Sequence, residues 1–234
     1  MGNVLFMRKG EIHEEPSNYD PVFANNTWEQ IIEACQKNKV PETWAVGDSK
    51  PMKISGTDYQ IDIIGKNHDE YVYGSGIAPL TFQMHDLYGA YYHMNTSNTN
   101  SGGWANCRMK TTILENALNW MPNEVKASIR RVNKLTSAGS QSNTIITTTD
   151  QLFLLSEVEI FGTASCTKSG EGKQYDYYKS GNGVIKSKNG SADFWWGRSP
   201  LANSSASFFY ITSNGSPTGN GAGNTSGLSF AFCF

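Results

Sequence analysis

The carboxyl end of the chain alternates between large apolar and small side chains. The large residues are Leu228, Phe230, Phe232 and Phe234, and the small ones between them are Ser229, Ala231 and Cys233. Because successive side chains of a β-strand point to opposite faces, this spacing predicts a strand with one strongly apolar face. That face has to be buried, so we expect a core strand whose removal unfolds the domain.

The segment before this strand has an unusual composition. Between Gly197 and Ser229, twenty-one of thirty-three residues are Gly, Ser, Asn or Thr, and Arg198 carries the only charge. Small polar residues interleaved with aromatic ones are typical of antibody paratopes. Phe194-Trp195-Trp196 on one side and the alternating strand on the other would anchor both ends. We therefore expect a displayed binding surface, the alternative being a flexible glycine-rich loop.

Patterns along the rest of the chain predict an α+β fold. Thr27 and Gln30 form a capping-box pattern that begins a helix ending near Lys39. Apolar spacing of three and four residues predicts an amphipathic helix or helical turns over 80–94 and further helices over 109–120 and 123–132. Strands are predicted at 45–48, 52–54, 59–63, 145–146, 152–155, 194–196, 208–211 and 228–234, with a hairpin turn at 55–58.

Chain length and the positions of Gly and Pro residues suggest one main domain. A chain of 234 residues can bury a sizeable core. Residues 1–24 contain several Gly and Pro residues between short apolar patches, as expected of an arm that docks on a neighbour. We interpret 1–40 as an N-terminal arm and helix for attachment or oligomerisation, and 41–234 as a ligand-binding domain.

Charge and cysteine content exclude several classes of protein. Nineteen basic and twenty-one acidic residues give a net charge of −2, without a basic cluster beyond Arg130-Arg131, so we expect no nucleic-acid partner. No apolar run is long enough for a signal peptide or membrane insertion, so we expect synthesis in the cytoplasm. The four cysteines form no Cys-x-x-Cys pair, so we expect buried free thiols.

Six short blocks form an ordered series along the chain. They are Trp44-Ala45-Val46-Gly47-Asp48, Asn67-His68-Asp69, Gly102-Gly103-Trp104, Leu154-Leu155-Ser156-Glu157-Val158-Glu159-Ile160-Phe161-Gly162, Glu171-Gly172-Lys173-Gln174-Tyr175 and Trp195-Trp196-Gly197-Arg198-Ser199-Pro200. Over about residues 40–234 they resemble a domain family of unassigned function that occurs in phage tail proteins and in surface proteins of Gram-positive bacteria. The resemblance implies a C-type-lectin-like fold, related in architecture to domains of the formylglycine-generating-enzyme type. Met7-Arg8-Lys9-Gly10 also resembles segments of phage virion proteins, which implies a place in the virion, on a tail or head structure.

The carboxyl end, residues 195–234, resembles the variable region of proteins diversified by retroelements. In those proteins adenine-rich template positions are rewritten and a lectin fold displays the altered side chains. The resemblance implies ligand contact at Leu201, Asn203, Ser205, Phe209, Tyr210, Thr212, Ser216, Thr218 and Asn220. Two positions depart from the family: Gly197 stands where it has Leu, and Ser229 where it has an Arg-Pro pair. Gly197 is either itself a rewritten position, and is then added to the ligand contacts, or a mark of a divergent member without a retroelement.

Candidate catalytic and metal-binding residues are few. His68, Asp69 and Glu70 would suit a general base or a metal ligand, but we favour a turn with solvated charges. His85 and His93 would share one face of a helix over 80–94, without a third ligand at a metal-site spacing. The cysteines do not match the catalytic pair of formylglycine-generating enzymes, and we expect no enzyme activity.

Neither a cofactor nor a metal is expected. The segment between Gly197 and Ser229 has no Asp or Glu, so calcium would bind it poorly. Trp104, Trp195 and Trp196 suit sugar-stacking platforms, but a core position is the favoured interpretation.

The sequence therefore predicts a phage virion-associated receptor-binding protein, an adhesin. Its partners would be a bacterial surface protein or glycan receptor and other virion proteins. A homo-oligomer, plausibly a trimer, would add avidity to a weak single site. The alternatives are a structural tail or head decoration protein whose carboxyl segment packs on neighbouring subunits, and a carbohydrate-active enzyme.

Overall fold

The computed structural model describes residues 19–74 and 76–234; the predicted segment Met7-Arg8-Lys9-Gly10 lies outside them. The helices are α1 (Trp28–Gln36), α2 (Gly103–Asn106), α3 (Glu115–Ala117), α4 (Asn123–Ser128), α5 (Glu157–Phe161) and α6 (Asp176–Lys179). Short 3-10 turns span Phe23–Asn25, Val72–Gly74 and Leu118–Trp120, and a π-helical segment spans Met109–Leu114. The strands are β1 (Ser49–Ile54), β2 (Thr57–Lys66), β3 (Leu80–Met84), β4 (Tyr92–His93), β5 (Val132–Ser137), β6 (Ile145–Asp150), β7 (Lys186–Lys188), β8 (Ser191–Asp193), β9 (Trp195–Pro200), β10 (Ser207–Ile211), β11 (Pro217–Gly221), β12 (Thr225–Ser226) and β13 (Ala231–Cys233). The fold is mixed α/β with mostly antiparallel strands, as predicted at that level.

The largest sheet is antiparallel, with strand order β1-β2-β3-β13. The predicted hairpin between β1 and β2 is confirmed, with Ser55 and Gly56 as its two turn residues. Both have positive φ, 48° and 82°, which is the conformation of the type I′ turn that matches the twist of two paired strands. The sheet thus joins the early strands of the chain to its last one.

The predicted helix over 80–94 is wrong, because residues 80–84 form the fully buried strand β3. Phe82 faces an aromatic cluster that includes Trp28 and Phe232, at centroid distances of 5.8 and 5.4 Å. The polar residues of the strand point the other way and are satisfied: Thr81 Oγ1 donates to Asp69, and Gln83 Oε1 accepts a 2.7 Å bond from the Tyr178 hydroxyl. The alternation of apolar and polar side chains, with a period of two residues, therefore identifies this segment as a strand.

The predicted core position of the carboxyl end is confirmed. Strand β13 pairs with β3, and Leu228 to Phe234 are all buried, on both faces of the strand. Ser229 is accommodated because its hydroxyl donates to the Met84 carbonyl at 2.8 Å. The predicted strand at 152–155 is reduced to a single bridge from Phe153 to Ala231.

The predicted amino-terminal helix is confirmed, with both bonds of the capping box between Thr27 and Gln30. The residues around this helix pack against the main sheet. Phe23 and Trp28 are buried and pack on Phe82, the central ring of the main sheet. This part of 1–40 therefore belongs to the same core as 41–234.

A buried ionic network joins the main sheet to the carboxyl end; we define it as Asp69, Lys134, Glu159, Tyr175 and Arg198. Lys134 Nζ lies 2.7 Å from Asp69 Oδ1 and 2.6 Å from Glu159 Oε1. Arg198 pairs with Glu159 through both terminal nitrogens, and the Tyr175 hydroxyl donates to Asp69. All five residues are at most 4% exposed, and their two cations balance two anions.

Pairing within this network keeps its members charged. Burial alone would raise the pKa values of Asp69 and Glu159, but the neighbouring cations hold both below their usual range. Burial would likewise lower the pKa of Lys134, and the two carboxylates raise it instead. Because Arg198 lies in β9, the network fixes this strand relative to α5 and β5.

Substituting Lys134 with Met should lower the free energy of unfolding by about 3 to 5 kcal/mol, because it leaves the Asp69 carboxylate buried without its cation. Chemical denaturation followed by tryptophan fluorescence measures this. Lys53 is the matched control: its pair with Asp58 is more than half exposed, and Lys53→Met should change stability by less than about 1 kcal/mol. Equal losses in the two variants would contradict the role given to the network.

Candidate binding cleft

The glycine-rich segment forms a three-stranded antiparallel sheet with strand order β11-β10-β9. Phe208, Phe209 and Ile211 of β10 are buried and anchor it. Tyr210 pairs directly with Thr218 of β11, so the two side chains share a face of the hairpin. The segment is therefore a defined hairpin supported by the core.

The loop between β9 and β10 is fixed by Asn100, a fully buried residue. Its Nδ2 donates to the carbonyls of Ser204 and Ser207 at 2.7 and 2.8 Å. Its Oδ1 accepts a 2.8 Å bond from the Ser140 amide, which ties the loop to a second turn. The exposed residues Asn203 and Ser205 therefore sit on a loop that is held at its base.

A surface cleft of about 270 Å³ lies beside this hairpin; we call it the aromatic cleft. It is lined by Tyr91, Asp193, Phe194, Tyr210, Asn220, Thr225 and Ser226. The rings of Phe194 and Tyr210 are stacked, with centroids 5.6 Å apart and an interplanar angle of 17°. Phe194 is 40% exposed and Tyr91 is 46% exposed, so much of the aromatic surface is open to solvent.

Polar contacts hold the side chains at the rim of the cleft. The Asp193 carboxylate accepts hydrogen bonds from the Tyr91 hydroxyl and, at 2.8 Å, from the Phe194 amide. This bond to Asp193 raises the pKa of Tyr91. Lys188 Nζ lies 3.2 Å from the centroid of the Tyr91 ring, and Asn220 Oδ1 accepts a 2.7 Å bond from Asn224 Nδ2. The rim is thus positioned before any ligand binds.

Two of the predicted contact residues, Tyr210 and Asn220, meet in the aromatic cleft. The others that keep solvent exposure lie along the same hairpin and its loops: Leu201, Asn203, Ser205, Thr212, Ser216 and Thr218. Thr212 and Ser216 also close the hairpin turn, since the Ser216 amide donates to Thr212 Oγ1 at 2.9 Å. Leu201 rests over Gly219, where an added Cβ would lie 2.0 Å from Leu201 Cδ1.

Gly197 and Phe209, two further residues predicted to contact ligand, are both buried in the structure. A Cβ added at Gly197 would lie 2.2 Å from Phe209 Cδ1 and 2.8 Å from the Leu155 carbonyl oxygen. Glycine at 197 therefore makes room for the ring that anchors β10, which is a packing role.

Sequence reasoning missed five lining residues: Tyr91, Asp193, Phe194, Thr225 and Ser226. One signal was present in the sequence, since Asn189-Gly190 is the preferred dipeptide of a type I′ hairpin turn. It joins β7 to β8, with φ values of 52° and 79°, and β8 ends at Asp193. Tyr91 comes from a distant part of the chain, and no local pattern connects it to this hairpin.

His68, Asp69 and His93 have structural partners. His68 stacks on Tyr175 at 3.9 Å, and burial lowers its pKa. Asp69 belongs to the ionic network, so the predicted turn of solvated charges is wrong for this residue. His93 Nε2 lies 2.7 Å from an Arg108 terminal nitrogen, and among the described residues no group of three or more His, Cys, Asp or Glu is arranged to hold a metal ion.

The predicted core positions of three tryptophans and the predicted free thiols are confirmed, except that Cys166 is only partly buried. Trp104, Trp195 and Trp196 are fully buried core residues. All four cysteines are free thiols; three are buried and Cys166 is half-buried.

Within 19–74 and 76–234, no helix has the length and apolar character needed to cross a membrane.

The fold and the cleft together define a mixed α/β domain that carries a preformed surface cleft at its carboxyl-terminal sheet. The model of a family described as a domain of unknown function, DUF6273, matches residues 81–233. The chain therefore belongs to this family. No curated protein and no solved structure matches the chain.

A methyl group at Gly197 should lower the free energy of unfolding by about 1 to 3 kcal/mol, because Phe209 and the Leu155 backbone would have to move. Thermal denaturation of Gly197→Ala tests this. Gly183→Ala is the matched control, since a Cβ there meets nothing within 4 Å. A Gly197→Ala variant as stable as Gly183→Ala would return position 197 to the list of tolerant, variable sites.

The His85–Asp62 pair should make stability depend on pH. The 2.7 Å hydrogen bond between His85 Nδ1 and Oδ2 of buried Asp62 raises the pKa of His85 above its ordinary value of 6.5. Because the folded state binds the proton more tightly, this stabilisation is fully present below pH 6.5 and is lost as the pH rises through the folded pKa. His85→Gln should therefore cost more stability at pH 5.5 than at pH 8.5, and NMR titration should show a lower pKa for His85 in Asp62→Asn. A His85 that titrates below 6.5 in the unsubstituted protein would refute this.

Proposed function

We propose that the chain is a receptor-binding protein that attaches to a bacterial surface through the face formed by β10, β11 and the aromatic cleft. One observation carries the proposal: Tyr210 and Asn220, expected to contact ligand from sequence alone, line the same cleft as the exposed rings of Tyr91 and Phe194. Exposed aromatic rings beside small polar groups are the composition of adaptable binding surfaces.

The rigid backbone beneath this surface favours ligand binding. Preorganised sites lose less conformational entropy on binding than flexible ones. Here Asn100 fixes the loop at 201–206, and buried Phe208 and Phe209 fix the hairpin. The exposed residues of the loop and hairpin can therefore vary without disturbing the core, which is the property that a diversified binding surface requires.

The finer fold and the biological setting belong to the same proposal. We propose a C-type-lectin-like arrangement, supported by the shared sheet of the early strands with β13 and by the long loop-rich region between them. A place on a phage virion, contacts with other virion proteins and a homo-oligomer rest on the sequence resemblance. A trimer would multiply a weak single-site affinity.

Binding of the labelled full-length protein to Gram-positive cells tests the proposal. We expect adsorption to some strains, and we expect it to fall at least tenfold when Asn203, Ser205 and Thr218 are replaced together by bulky Lys, because new charge and volume block an uncharged surface. Flow cytometry measures the adsorption, and the melting temperature checks that the variant is folded.

Three exposed residues outside the carboxyl-terminal segment provide the control: Lys53, Asp58 and Glu124. Their replacement by uncharged residues should leave adsorption unchanged. Adsorption that survives the triple Lys substitution would contradict the proposal. If that substitution instead disrupted particle assembly while host attachment persisted, the structural virion function would replace it.

A further inference from the structure

We infer that the aromatic cleft binds one neutral pyranose ring of a glycan without a metal ion. This inference rests on the proposed function and names the ligand chemistry of its surface. The cleft combines an open aromatic pair with hydroxyl, amide and carboxylate groups, and each part restricts what can occupy it.

The aromatic pair provides a flat apolar surface. Phe194 and Tyr210 stack in nearly parallel planes, and Phe194 remains 40% exposed. Aromatic faces carry partial negative charge, and the C–H groups on one face of a pyranose carry partial positive charge. A sugar ring can therefore lie against the exposed surface of Phe194, which Tyr210 supports by stacking, while its hydroxyls remain free for polar contacts.

The strongest indication of a polar ligand is Ser226. This residue lines the cleft and is only 4% exposed, yet its Oγ makes no hydrogen bond within the described residues. Leaving a buried hydroxyl without a partner costs about 1 to 3 kcal/mol. The Oγ atom is itself buried, so the Ser226 side chain has to rotate toward the cleft before a ligand hydroxyl can bond it. A ligand hydroxyl bonded in this way would recover the energy, and an apolar ligand would not.

Other groups at the rim add donors and acceptors at fixed positions. The Nδ2 amide of Asn220 donates to no acceptor within 19–74 and 76–234, while its Oδ1 is held by Asn224. Thr225 adds an exposed hydroxyl, and Asp193 adds carboxylate oxygens that accept from sugar hydroxyls. This mixture of donors and acceptors matches vicinal hydroxyls.

Charge and size argue against anionic ligands and against ligands much larger than one ring. Among the described lining residues only Asp193 is charged, so a phosphate or a carboxylate ligand would meet repulsion without a compensating cation in the cleft. The nearby ammonium of Lys188 is already placed over the Tyr91 ring. A volume of about 270 Å³ lies just below the range of roughly 300 to 1,000 Å³ for pockets of drug-sized ligands, which fits a single ring.

Saturation-transfer NMR on the full-length protein with EDTA present tests the inference. The probes are the methyl pyranosides of glucose, galactose, mannose, rhamnose, N-acetylglucosamine and N-acetylgalactosamine. We expect at least one to bind with a dissociation constant on the order of 1 mM, with transfer strongest to ring C–H protons. Phe194→Ala should abolish binding, whereas Leu135→Ala, at a similarly exposed position elsewhere, should not.

Ser226→Ala separates a ligand contact from a structural role. It should weaken binding about tenfold, because one hydrogen bond is lost, while the melting temperature stays unchanged or rises, because the hydroxyl has no partner in the free protein. Ser191→Ala, on an exposed position of β8, should alter neither property.

Three results would overturn the inference: no binding by any of these pyranosides, binding that requires calcium, or tighter binding of inorganic phosphate or N-acetylneuraminic acid. The proposed function fails separately. If cells adsorb the protein through the surface at Asn203, Ser205 and Thr218 while no neutral sugar enters the cleft, the receptor-binding function stands and the glycan inference falls.

Discussion

The carboxyl-terminal sheet depends on the charge pairing of Lys134 and Arg198 with Asp69 and Glu159. Each ion would be costly to bury alone, and together they neutralise one another in a site closed to water. Four of the six sequence blocks contribute residues to the network, including Asp69, Glu159 and Arg198. Those blocks therefore carry the frame of the fold, while the residues expected to meet a receptor, apart from Gly197, lie beyond the last block.

This division of roles explains how a glycine-rich segment whose only charge is Arg198 keeps one shape. The ion pair between Arg198 and Glu159 fixes β9, and the hydrogen bonds of Asn100 fix the loop that follows it. Buried Phe208 and Phe209 anchor the hairpin. Once the backbone is fixed in this way, exposed side chains such as Thr218 can change without cost to the core. The same rigidity keeps the rings and polar groups of the aromatic cleft in place.

Local patterns in the sequence predicted those elements that local interactions determine. The capping box at Thr27, the turn at Ser55-Gly56 and the alternation of Leu228 to Phe234 all appear in the structure. Residues 80–94 were misassigned because apolar residues at three- and four-residue steps outweighed the period-two pattern of 80–84. The ionic network and the cleft bring together distant segments, and no spacing in a single sequence reveals such pairings; burial of Gly197 and Phe209 is a tertiary effect of the same kind.

Amide hydrogen exchange of the full-length protein tests most directly whether the glycine-rich segment is a fixed surface. The account predicts that the paired amides of β10 and β11, such as those of Phe209 and Thr218, exchange about as slowly as the amides of β2 and β3, because the same core supports both sheets. Exchange of β10 and β11 at the rate of an unstructured peptide, while β2 and β3 remain protected, would contradict it.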